Sequence, residues 1–70
     1  MAGEVRSAGV ATKIAESFLK QYYGFLRPLS AVRENSIWIV KIDVGLVMRE
    51  IAEVKIDALT SEIMGYSFPK

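Results

Sequence analysis

Three carboxylates in the second half of the chain, Asp43, Asp57 and Glu62, are the residues whose oxygens could converge on a hard cation, which needs several carboxylate or carbonyl ligands at once. Their spacing matches no cation loop. Asp57 opens the stretch Asp57-Ala-Leu-Thr-Ser61, where a carboxylate accepts backbone N–H groups and orders a turn, and Asp43 and Glu62 read as solvated side chains on strands. No metal site is expected. Serine chemistry has the same difficulty, because Ser7, Ser17, Ser30, Ser36, Ser61 and Ser67 have no histidine to activate them in a chain without histidine or cysteine. No catalytic residue and no cofactor are expected, so the reading is not that of an enzyme. Tyr22, Tyr23, Phe25 and Trp38 could offer a stacking surface to a flat ligand. Their positions favour packing instead, with Tyr22 and Trp38 in the core and Tyr23 and Phe25 over a helix end.

The elements that hold these residues follow from two hydrophobic periods. Val10, Ile14, Phe18 and Tyr22 recur every four residues with Ala11, Ala15 and Leu19 beside them, one apolar stripe of an amphipathic helix. Ser7 is the expected N-cap, Glu16 and Lys20 are spaced for an i,i+4 pair, and Gly24 followed by Pro28 ends the element. The helix is predicted over residues 8–23. Residues 29–34 read as a first strand leaving through Asn35-Ser36. Trp38, Val40, Ile42 and Val44 then alternate with Ile37, Ile39, Lys41 and Asp43, and Ala52, Val54, Ile56 and Ala58 alternate with Glu53, Lys55 and Asp57. A last strand over 62–68 puts Met64, Tyr66 and Phe68 on one face. The predicted fold class is therefore α+β, one N-terminal helix packed on a four-stranded antiparallel meander in the order α-β-β-β-β. Residues 1–6 are expected to be a disordered tail and 7–70 a single domain.

Where the central hairpin turns stays open. A turn at Gly45 would leave Leu46, Val47 and Met48 at a loop tip with little of the domain to cover them; a turn at Arg49-Glu50 would carry the strand through Met48. Either arrangement implies an interface near residues 44–51. The uncovered sheet face carries Ile37 and Ile39 beside Lys41, Asp43, Glu53 and Lys55. The expected partner-binding residues are accordingly Ile37, Ile39, Leu46, Val47 and Met48.

The pattern Trp38-Ile-Val-Lys-Ile-Asp43, then Glu53-Val-Lys-Ile-Asp-Ala-Leu-Thr-Ser-Glu-Ile-Met64, resembles the PepSY family, whose small domains read Trp or Tyr, alternating Val, a loop, then Val-x-Val-Asp-Ala-x-Thr-Gly-x-Val/Ile. About half of the chain is covered. Small gas-vesicle accessory proteins of archaea and bacteria are similar in the same strand and turn pattern. Ser61 stands where the family favours Gly, and the secretion signal that many PepSY domains carry is not evident here. What the resemblance implies is a helix on a meander acting as a non-catalytic module, since PepSY domains are associated with restraining peptidases or with peptide and protein contacts.

Composition narrows the function classes further. Seventy residues without cysteine must stabilise a small core with no disulfide, and 51% hydrophobic residues exceed what one helix and one sheet face can hide. A homodimer or a protein partner is the expected cover. Nine basic against eight acidic residues leave a net charge of +1 with the signs interleaved, unlike the concentrated basic face of a nucleic-acid binder. The alternative kept is weak nucleic-acid binding through Lys13, Lys20, Arg27, Arg33 and Arg49. No apolar run approaches the ~20 residues of a membrane span, and the chain reads as cytoplasmic, with no membrane partner.

Overall fold

The computed structural model describes residues 4–69. Ser7 caps the helix as its spacing implies, its Oγ accepting the Val10 N–H at 3.2 Å. The helix α1 runs Ala8–Leu19 and stops short of the predicted residue 23. Beyond it the N–H groups of Tyr22 and Tyr23 both donate to the Leu19 carbonyl, at 2.9 and 3.0 Å, so the chain tightens into a turn. Tyr-Tyr-Gly-Phe is a run of poor helix formers, and nothing in it pulls the helix onward. No ion pair joins Glu16 to Lys20 among the described residues.

Four strands follow, β1 (Arg27–Glu34), β2 (Ile37–Asp43), β3 (Ile51–Asp57) and β4 (Ile63–Ser67), in one antiparallel sheet of order β1-β2-β3-β4. The fold is α+β, a helix followed by a meander. Trp38 pairs with Ile56, Val40 with Val54 and Ile42 with Ala52, which puts two alternating rows on one buried face. Full burial of each Val or Ile there is worth about 1.5–3 kcal/mol. At the first hairpin Asn35 has φ 58°, a left-handed conformation that Asn tolerates better than most residues.

The helix meets this face through Ala11, Ala15 and Leu19, all fully buried, with Ile14 and Phe18 partly buried beside them. The small alanines bring the helix backbone close to the sheet. This row lies one position round from the predicted stripe. Val10 and Tyr22 are half exposed, so the expectation that Tyr22 is core is corrected: it lies past the last helical turn and off the packed row.

Two further corrections come from the ends. Residues 1–3 lie outside the described residues, but Val5, placed in the expected tail, is buried. Its N–H donates to the Ala58 carbonyl at 2.6 Å and its own carbonyl accepts the Trp38 indole N–H at 2.8 Å. A buried Trp needs an acceptor, and this short segment supplies one. In β4, the register shifts so that Ile56 faces Ile63 while Lys55 faces Gly65, and Met64 bulges out between them. Tyr66 and Phe68 keep the helix side, whereas Ile63 packs against the core in place of Met64.

Candidate partner-binding site

Asp43 ends β2, and the chain cannot continue as a ladder beyond it because one carboxylate oxygen gathers the backbone of the next segment. Its Oδ1 accepts the N–H of Gly45 and the N–H of Glu50, each at 3.0 Å. Oδ2 accepts Nη2 of Arg27 at 3.0 Å, with Nε of Arg49 at 4.0 Å. The side chain is about 2% exposed, so the expectation of a solvated strand carboxylate is corrected. Backbone donors from Gly45 and Glu50, with help from the Arg27 guanidinium, hold its pKa below the ordinary 3.8 although burial opposes them.

Above this carboxylate the loop closes on itself. The Val44 N–H donates to the Glu50 carbonyl at 2.8 Å, making a neck one residue past the last ladder pair, Asp43 with Ile51. Gly45 is buried in the neck. A Cβ there would stand 1.7 Å from the Met48 carbonyl oxygen and 2.9 Å from the Glu50 nitrogen, so only glycine allows the backbone to fold back this tightly. The hairpin therefore turns at Gly45.

What this neck displays is apolar. Leu46 is 78% exposed, Val47 93% and Met48 76%. Together with Arg49 and Glu50 they shape a shallow concavity of about 430 Å³. A second concavity of similar size lies at the helix end, lined by Lys13, Glu16, Lys20 and Tyr23 among others.

The other expected contact residues, Ile37 and Ile39, are half-buried on the open sheet face, where Ile39 has Val32 on one side and Lys55 on the other. They sit at the far end of β2 from the tip, with Lys41 exposed between. The five residues form two surfaces, not one. Asp43, Asp57 and Glu62 do not converge on one cation site either. Asp57 lies opposite Ile37, six residues along β2 from Asp43, a separation of about 20 Å. Among the described residues no group of three acidic or other ligating side chains converges. Asp57 instead accepts the N–H groups of Leu59 at 2.8 Å and Thr60 at 3.3 Å, ordering the turn as its position predicts.

Asp43 and Gly45 are the residues of the candidate site that alternation alone conceals, since the period-two pattern assigns Asp43 to the open face. The available signal was local: an Asp followed two residues later by Gly, the type of side chain that captures backbone N–H groups ahead of it. Among the described residues no helix is long and apolar enough to cross a membrane. No protein-family model matches the chain, and comparison with curated proteins and with solved structures finds no significant match.

Proposed function

We propose that this chain is a non-catalytic, homodimeric protein-binding or regulatory module of the cytoplasm that engages a protein partner through the tip at residues 46–48. One observation carries the reading: Leu46, Val47 and Met48 stand in water on a loop whose backbone is fastened from beneath by Asp43 and made possible by Gly45. Exposed apolar clusters of this kind mark contact sites. A loop already held in one shape loses less entropy on docking, which makes it a better contact than the same residues on a slack chain. Recognition is by shape and apolar complementarity, with Arg49 and Glu50 at the rim of the tip. On the open face, Ile37 and Ile39 offer a second contact whose register Lys41, Glu53 and Lys55 set by charge.

The PepSY resemblance supports a binding role. The helix-then-meander order is the one it implies, and Ser61, at the position where that pattern favours Gly, has φ 65°. Arg27 and Arg49 both turn towards Asp43, which draws two of the five cations of the nucleic-acid alternative into an internal contact.

The test compares wild type with Leu46→Glu/Met48→Glu as bait in a quantitative pull-down from cell extract, with thermal melting measured alongside. Both positions are exposed, so the melting temperature should stay unchanged while a protein retained by wild type falls at least tenfold. Identical retention by the two baits would remove the tip from the proposal.

A further inference from the structure

The helix leaves part of the sheet bare. No Cα of α1 comes within 8 Å of β4, so α1 sits over β1, β2 and β3 only. Phe18, partly buried beside the packed row, reaches across that gap to Tyr66, ring centroids 5.1 Å apart. Tyr22 reaches Phe68 at 5.2 Å. The Phe18 and Tyr22 rings and the strand thus make a step, one apolar wall and one apolar floor, open at the outer edge of β4.

We infer that a second copy of the chain docks in this step, the two β4 edges pairing antiparallel across a two-fold axis and the Phe18–Tyr66 aromatic walls of the two copies facing each other across the joined strands. The inference rests on the homodimeric part of the function proposed above and names its surface. The two edges of the sheet are not alike. Both carry a register irregularity, but β1 is guarded by Arg27, Pro28, Arg33 and Glu34, while residues 63–69 form the longest uncharged stretch of the chain. An edge strand without charge or proline is the kind that pairs with another. Antiparallel pairing about a two-fold is self-complementary. With the axis at Gly65, the nearest charge, Glu62, lies about 20 Å along the strands from its symmetry mate, so like charges do not oppose each other.

The exposed area also suits a second copy. Tyr22 is 55% exposed, Met64 57% and Tyr66 58%. With the remainder of Phe18 and Phe68 they hold on the order of 500 Å², to which the backbone of β4 adds towards the ~800 Å² per partner of a standard interface. A foreign strand would satisfy the edge and leave the aromatic wall bare. A second copy brings a matching wall.

The test is light scattering on the full chain over a range of concentration and salt. Wild type should have twice the chain mass at micromolar concentration and keep it at high salt, because apolar burial is not screened. Met64→Lys/Tyr66→Lys should raise the dimer Kd at least tenfold. Tyr22→Lys, an exposed position outside the sheet whose ring packs on Phe68, should also raise it and serves should the strand variant fail to fold. Leu46→Glu/Met48→Glu should remain dimeric. A wild-type dimer that Leu46→Glu/Met48→Glu dissociates and the Tyr22 and β4 variants do not would overturn the β4 interface and leave the homodimer standing. A wild-type monomer at several hundred micromolar would overturn both, leaving the tip as a contact of a monomeric module.

Discussion

Asp43 and Glu50 are bound to each other across the mouth of a loop: the carboxylate of the first accepts the N–H of the second at 3.0 Å, and the same oxygen takes the N–H of Gly45. Because both bonds favour the ionised form, the native pKa is lowered from 3.8. A lowered native pKa stabilises the fold fully above the unfolded value, and the contribution is lost as pH falls through 3.8 towards the native value. Asp43→Asn should therefore destabilise the protein at neutral pH, and the gap should narrow as pH falls below 3.8 and the wild-type carboxylate becomes protonated. Urea unfolding of the two proteins from pH 7 to pH 3 measures the difference curve. A constant gap across that range would show that the charge of Asp43 is not what holds the loop.

Gly45→Ala puts a methyl group 1.7 Å from the Met48 carbonyl oxygen, a distance no rotamer can relieve because both partners are backbone. The loop must open. The expected loss is about 1–3 kcal/mol in urea unfolding, typical of a forced overlap. Amide hydrogen exchange should show the Glu50 N–H, now bonded to Asp43, losing protection while the Val54 N–H in the middle of β3 keeps its own.

The fold was legible where the period was long and unbroken. Trp38, Val40 and Ile42 alternate over a whole strand, and their burial follows from that alone. Asn35 and Asp57 were legible for a different reason, since each acts on its own neighbourhood: one takes a left-handed turn position and the other binds N–H groups two and three residues ahead. What stayed hidden depends on partners distant in sequence. Val5 is buried because Trp38, thirty-three residues away, needs an acceptor. The bulge at Met64 comes from the pairing of β4 with β3 and has no marker in β4 itself. The tip was half legible. An apolar run beside Gly45 suggested a loop, but the choice of turn rested on the Asp43 hydrogen bonds, which alternation assigned to the wrong face.

Val5 supplies a prediction that separates an anchored segment from a passive one. Deleting residues 1–6 removes a buried Val, worth about 1.5–3 kcal/mol, and leaves the Trp38 indole N–H without its acceptor, a further cost of about 1–3 kcal/mol. The truncated chain should melt well below wild type. Since Trp38 is the sole tryptophan, its fluorescence should shift to longer wavelength as water reaches the indole. Unchanged emission and melting would show that the segment adds nothing to the core.

Ser61 occupies a left-handed conformation, φ 65°, in which a side chain costs about 1–2 kcal/mol relative to glycine. Its N–H donates to the Asp57 carbonyl at 2.8 Å, a backbone bond that glycine keeps. Against the relief of strain stands the greater freedom of glycine in the unfolded chain, about 0.4–1 kcal/mol. The difference leaves Ser61→Gly more stable than wild type by a few tenths to about 1 kcal/mol. Asp57→Ala should do the opposite, since the N–H groups of Leu59 and Thr60 lose their acceptor in the same turn. Chemical denaturation of both variants decides the matter. A Ser61→Gly protein weaker than wild type would mean that the turn is held by its hydrogen bonds with no strain to release, and the preference for glycine that the PepSY pattern shows at this position would then need another cause.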